Sequence, residues 1–250
     1  MTEILTRRNT VLEALRANRR EIYRLWVQKG SQPKLVRPIE QAARQRNIPI
    51  STADKQKLSE LAQAGDHQGV LLEVGPYRYA TLDDILGAAK AKNEPPFILL
   101  FDLIQGTQNV GMLLRTAEIC GVHGVIMQER RAPDITPLIV QHSVGAAEHL
   151  PIAQVTNLVQ TIKELQAQDI WVAGTDFGDD ALKPSEIDLN RALAIVVGHE
   201  GEGLRRLVRE SCDFIIELPM RGQVESLNAA VAGSVMLYMA WQARGFAGAK

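Results

Sequence analysis

The chain has 250 residues, of which 46% are hydrophobic, 23% charged and 5% aromatic, and its mean hydropathy is −0.08; this balance excludes a disordered chain and a small disulfide-stapled scaffold. No run approaches the ~18 apolar residues of a membrane helix, and the opening MTEILTRRNT lacks a signal-like apolar core, so a cytoplasmic location is expected. Cys120 and Cys212 stand far apart and five histidines form no spaced ligand set, so no metal is expected.

The net charge of −1 hides a gradient: residues 1–50 hold 11 Lys+Arg against 4 Asp+Glu, residues 51–92 hold 5 against 6, and residues 93–250 hold 12 against 19. A basic front joined to an acidic back suggests a nucleic-acid-facing module attached to one with another task, with Arg19, Arg20 and Arg24 as phosphate contacts. Scattered solvated charge is the plainer alternative.

In chain order, Asn9 or Thr10 caps a helix over Val11–Ala17, followed by a strand Ile22–Val27. A helix from Pro38 to Arg46, a short strand Ile48–Ile50, a helix Asp54–Ala64 and a strand Val70–Val74 complete an α/β unit. The proline-flanked stretch 77–95, with a short helical pattern at Leu82–Ala91, reads as a linker between domains 1–76 and 96–250. Beyond it, strands at Phe97–Phe101, Val122–Met127, Ile170–Ala173, Leu193–Val197 and Phe214–Leu218 alternate with helical patterns. Those helices run over Val110–Ile119, Pro137–Val144, Leu158–Gln168, Leu204–Ser211 and Leu227–Ala243. This alternation predicts a mostly parallel sheet covered on both faces, with ligands at the C-terminal strand ends.

Three stretches carry candidate chemistry. In FDLIQGTQNVGMLLRTAEICGVHGVIM, Asn109 opens a helix, where a capping role would explain it; Arg115 lies among apolar residues and calls for an anion, in a salt bridge or in a ligand. In AIVVGHEGEGLRRLVRESCDFIIELPM, a strand enters a loop with Gly198, Gly201 and Gly203. That spacing is not the dinucleotide fingerprint, and Glu200 and Glu202 disfavour phosphate, leaving a polar or cationic ligand or an ordinary tight turn. In GQVESLNAAVAGSVMLYMAWQAR, Ser226 is a natural N-cap and the run from Ala229 to Ser234 gives the helix a thin face for close packing.

The ordered set QNVGMLLRTAE, VVGHEGEGL and ESLNAAVAG resembles the three motifs of the SpoU family of RNA ribose 2′-O-methyltransferases, in the SPOUT superfamily. It is most similar to the branch that modifies guanosine in large-subunit ribosomal RNA. The basic front resembles, in layout and charge, the ribosomal-protein-like RNA-binding domain of that branch. The resemblance implies an α/β domain with a C-terminal trefoil knot, S-adenosylmethionine as cofactor, and a homodimer. It implies a catalytic set of Asn109, Arg115, Glu200, Ser226 and Asn228, and a cofactor site at Gly198, Leu218, Met220 and Leu227. Arg115 would hold RNA phosphate and stabilise charge on the 2′-oxygen, Asn109, Ser226 and Asn228 would fix the ribose, and Glu200 would orient Arg115 or Asn109. His199 departs from the family's usual Asn or Ser. A transfer-RNA ribose methyltransferase and a non-catalytic RNA-binding or ribosome-assembly protein are the alternatives.

Overall fold

The structure, a computed structural model, describes residues 2–63, 66–223 and 226–250. The chain divides into two compact units: residues 1–78 with 135–149, and residues 79–134 with 150–250.

In the first unit the elements are β1 (Glu3–Thr6), α1 (Arg8–Ala17), β2 (Ile22–Gln28), α2 (Pro33–Gln45), β3 (Ile50–Ala53), α3 (Lys55–Ala62) and β4 (Val70–Val74). The sheet runs β1-β4-β2-β3, with β4 antiparallel to both neighbours and β2 parallel to β3. Val70, Leu71 and Leu72 are fully buried at its centre. Helix α2 begins five residues earlier than Pro38 suggests, because Pro33 occupies the first turn, the position where a missing N–H costs nothing. Pro38 then sits inside the helix on the exposed side. Burial of Val36, Ile39 and Ala43 on the other side holds the helix despite the lost bond.

Residues 135–149 join this unit through α6 (Pro137–His142) and a 3-10 turn at Ala146–Glu148. Glu148 is fully buried there and lies 2.7 Å from Arg20 Nη2, while Arg20 Nη1 lies 2.5 Å from Glu3 Oε2. Arg20 also donates to the Gly75 carbonyl and stacks 4.9 Å over Tyr77. Burial pushes the Glu148 carboxyl above its ordinary value while Arg20 pulls it down. The expected phosphate contact at Arg20 is therefore corrected: its side chain, 2% exposed, is committed to two carboxylates. Arg24 is exposed on β2 beside Trp26, at 5.3 Å, and donates to Ser51 Oγ; Arg19 is half-buried.

The second unit is built from α4 (Leu82–Lys92), β5 (Phe97–Phe101), α5 (Thr107–Ile119), β6 (Gly124–Gln128), β7 (Ile152–Val155), α7 (Leu158–Gln166), β8 (Trp171–Thr175), β9 (Leu193–Val197), α8 (Arg206–Ser211), β10 (Phe214–Ile216) and α9 (Ala229–Ala243). Its six strands are parallel throughout, in the order β10-β8-β9-β5-β6-β7. Continuous apolar runs such as FILLF and LAIVV, buried at every position, are what a sheet covered on both faces requires. The stretch read as a linker holds α4, opened by a Thr81–Asp84 capping box; its fully buried Ile85 belongs to this unit's core. It is therefore part of the packed unit and not a connector.

Helices α5 and α9 pack together. Thr116 Oγ1 and Ser234 Oγ are 2.9 Å apart, and a Cβ placed on Gly233 would stand 2.6 Å from Leu113 Cδ2 and 2.9 Å from Val197 Cγ2. The thin face of α9 thus packs on its own chain. The outward residues are Val231, Val235 and Tyr238 on α9 and Met112 and Ile119 on α5, an apolar stripe in which Arg115 is also exposed.

Candidate active site

In a parallel sheet all C-terminal strand ends lie on one edge, and loops from different motifs meet there. Gly106 occupies the cap position before α5, which places Asn109 in the first turn of the helix. Its Nδ2 donates to Glu200 Oε2 at 3.0 Å. Asn228 Nδ2 donates to Glu200 Oε1 at 2.8 Å and to Asn109 Oδ1 at 3.1 Å. One carboxylate therefore holds two amides, each drawn from a different motif.

Asn228, not Ser226, caps α9: its Oδ1 accepts from the Ala230 and Val231 N–H groups at 2.9 and 3.2 Å. The helix starts two residues later than expected, because the Asn228 side chain satisfies two of the open amides while donating to the loops. Ser226 is exposed beside it and lines the adjacent cleft. Arg115 is two turns along α5 from Asn109, on the outer stripe, and among the described residues has no ion pair with a carboxylate; the expected tie between Glu200 and Arg115 is absent, and the tie to Asn109 is present.

The cleft opens at the ends of β8, β9 and β10. Gly198, Leu218, Met220 and Leu227, the four positions assigned to a cofactor, line it together with Ile216 and the carboxylate-bearing Asp176, Glu200, Glu202 and Glu217. Gly198 is a steric necessity, since a Cβ there would meet the Gly203 carbonyl oxygen at 2.4 Å. The loop is closed by paired backbone bonds between His199 and Gly203, and Asp176 Oδ2 accepts from the Leu204 N–H. His199 Nδ1 is buried in the wall without a partner among the described residues. Asp176 and the buried His199 nitrogen carry no distinctive local motif, and only the meeting of β8 with the β9 loop reveals them. Apolar walls, several carboxylates and an orphaned ring nitrogen suit a ligand with a flat heterocycle and a cationic centre, and disfavour an anion.

Comparison with known proteins agrees with this architecture. Residues 96–238 match the SpoU rRNA methylase family and residues 8–80 match an RNA 2′-O ribose methyltransferase substrate-binding domain. The chain is 40% identical over 239 residues, 95% of its length and 94% of the other's, to Bacillus subtilis (strain 168) YacO, whose name places it among TrmH-family tRNA/rRNA methyltransferases. In fold it is similar to the SpoU methyltransferase AviRb of Streptomyces viridochromogenes, solved with AdoMet (TM-score 0.80, 23% identity, 98% and 91% of the two chains). It is also similar to an AdoMet-bound rRNA methyltransferase of Sinorhizobium meliloti (TM-score 0.77, 21% identity, 96% and 87%).

Proposed function

Since the chain belongs to the SpoU family of RNA methyltransferases, we propose that it methylates a ribose 2′-hydroxyl of large-subunit ribosomal RNA, at a guanosine, using S-adenosylmethionine. The observation that carries the reading is the Glu200 carboxylate held between Asn109 and Asn228 at the mouth of the cleft. The cofactor, when bound against Gly198, Leu218, Met220 and Leu227, supplies a methyl group activated by positively charged sulfur.

The chain's own task is to align a weak nucleophile and to help it shed its proton. Glu200 fixes both amides, so Asn109 and Asn228 meet the ribose already oriented, and Ser226 adds a hydroxyl from the same side. Arg115 serves as a cation that stabilises charge growing on the 2′-oxygen. Two copies of the chain pair through the exposed stripe of α5 and α9, which brings Arg115 to the boundary between them. Threading of the C-terminal segment into a trefoil knot belongs to the same proposal.

The test is a map of 2′-O-methyl sites in ribosomal and transfer RNA from cells with and without this protein. The reading expects loss of one guanosine site in large-subunit rRNA. Loss of a transfer-RNA site with all rRNA sites intact would overturn that substrate assignment in favour of tRNA, the other substrate class in the name of YacO.

A further inference from the structure

A second cleft lies on the same edge of the parallel sheet, at the ends of β6 and β7, and includes Gln128, Thr156, Asn157, Arg205, Arg206 and Leu207 in its lining. In the strand order it falls on the far side of β5 from the cofactor cleft. The loop after β5 leads to Asn109, and the loop after β9 that carries Glu200 continues into Arg205 and Arg206.

Gln128 ends β6 and is 8% exposed, yet its Oε1 has no hydrogen-bond partner among the described residues. A buried amide oxygen left without a donor is rare enough to require a reason. What satisfies it must bring an N–H or O–H. Beside it, Arg205 is fixed by the fully buried Asp102, whose two oxygens accept from the Arg205 backbone N–H at 2.8 Å and from its Nε at 2.6 Å. Among the described residues the terminal nitrogens of Arg205 have no hydrogen-bond partner, so they stay available to an anion. Among the described residues Arg206 pairs with Glu210 one turn on, in an exposed pair that a phosphate can displace at small cost. Leu207 adds an apolar surface, 57% exposed. Beyond Gln128 the exposed Glu129 is followed by two exposed arginines, Arg130 and Arg131.

Fixed cations, a buried acceptor and an apolar surface are the three elements that recognise a nucleotide: phosphate, base edge and base face. We propose that this cleft is a subsite for a nucleotide of the substrate RNA flanking the methylated one, with phosphate on Arg205 and Arg206 and an amino or imino base edge on Gln128. The proposal rests on the RNA-methylating reading above and adds a contact on the catalytic unit, whose net charge is acidic.

The test uses the full-length protein with a labelled short single-stranded RNA of mixed sequence, measured by anisotropy across a salt series, beside Arg206→Gln and Gln128→Leu. Arg206→Gln should weaken binding and lower the salt slope by about 0.7, the loss of one phosphate contact on a single strand. Gln128→Leu should weaken binding about fivefold or more at unchanged slope, as the loss of a base contact does. Both should bind S-adenosylmethionine as the wild type does, which separates the effect from misfolding. A wild type that methylates RNA, with both variants binding the probe at wild-type affinity and slope, overturns the subsite and leaves the proposed reaction standing. A wild type that methylates no RNA overturns that reaction instead.

Discussion

Asn228 performs two jobs that substitution can separate. Its oxygen caps α9 and its amide nitrogen bridges Asn109 and Glu200. Asn228→Ser keeps a cap and removes the bridge; the lost bond to a charged acceptor costs about 1.5 kcal/mol, the low end for a site open to water. Asn228→Asp also keeps the cap, but sets a carboxylate oxygen where an N–H lay 2.8 Å from Glu200 Oε1. With water-like screening this repulsion is about 1.5 kcal/mol, offset by about 0.5 kcal/mol from an acid at a helix start. The Asp variant should therefore be about 2–3 kcal/mol less stable than wild type in urea unfolding at pH 7, and less stable than the Ser variant. On acidification one of the two carboxyls takes a proton and the repulsion ends, so the gap between Asp and Ser variants should close as pH falls. Both variants should lose most methyl transfer at any pH. Equal stability of the two variants across the whole pH range would refute the geometry of the bridge.

Other outcomes follow from the packing. Gly233→Leu should destabilise the protomer by at least about 1–3 kcal/mol through overpacking against Leu113 and Val197, seen as a lower urea midpoint. Arg20→Gln should cost about 3–5 kcal/mol by leaving Glu148 buried and unpaired, whereas Arg24→Gln should leave the urea midpoint unchanged and lower the RNA salt slope by about 0.7–0.9. His123 accepts the Phe97 N–H on Nδ1 and meets Glu94 through Nε2. Burial holds its pKa below the ordinary 6.5, aided by the Lys92 charge and opposed by Glu94. A depressed folded-state value means stability present above pH 6.5 and lost as pH falls through the folded pKa; His123→Gln should flatten that part of the melting-temperature profile.

Much of the fold was legible because fully buried parallel strands announce themselves: Phe97–Phe101 and Leu193–Val197 have the expected boundaries to the residue. β1 and β7 were not, because four residues ending in Thr6 or containing Gln154 carry too little apolar signal to be told from loop. The three motifs supplied Asn109, Glu200 and Asn228, but the cap of α9 expected at Ser226 falls to Asn228. That choice depends on bonds to residues 119 and 28 positions away. Arg20 was misread for the same reason: charge counting sees a basic block, while its partner Glu148 lies 128 positions on. Gln128 was invisible too, since an amide at a strand end gains meaning only when its oxygen is buried without a donor.

The central claim, methyl transfer to ribosomal RNA ribose at the Asn109–Glu200–Asn228 cluster, is tested most directly with methyl-labelled S-adenosylmethionine, purified full-length protein and unmodified large-subunit rRNA, followed by alkaline hydrolysis. The account predicts label in an alkali-resistant dinucleotide beginning with guanosine, because a methylated 2′-oxygen cannot attack the neighbouring phosphate, and near-complete loss of that label with Glu200→Gln. Label recovered in alkali-released mononucleotides, or undiminished with Glu200→Gln, would contradict it.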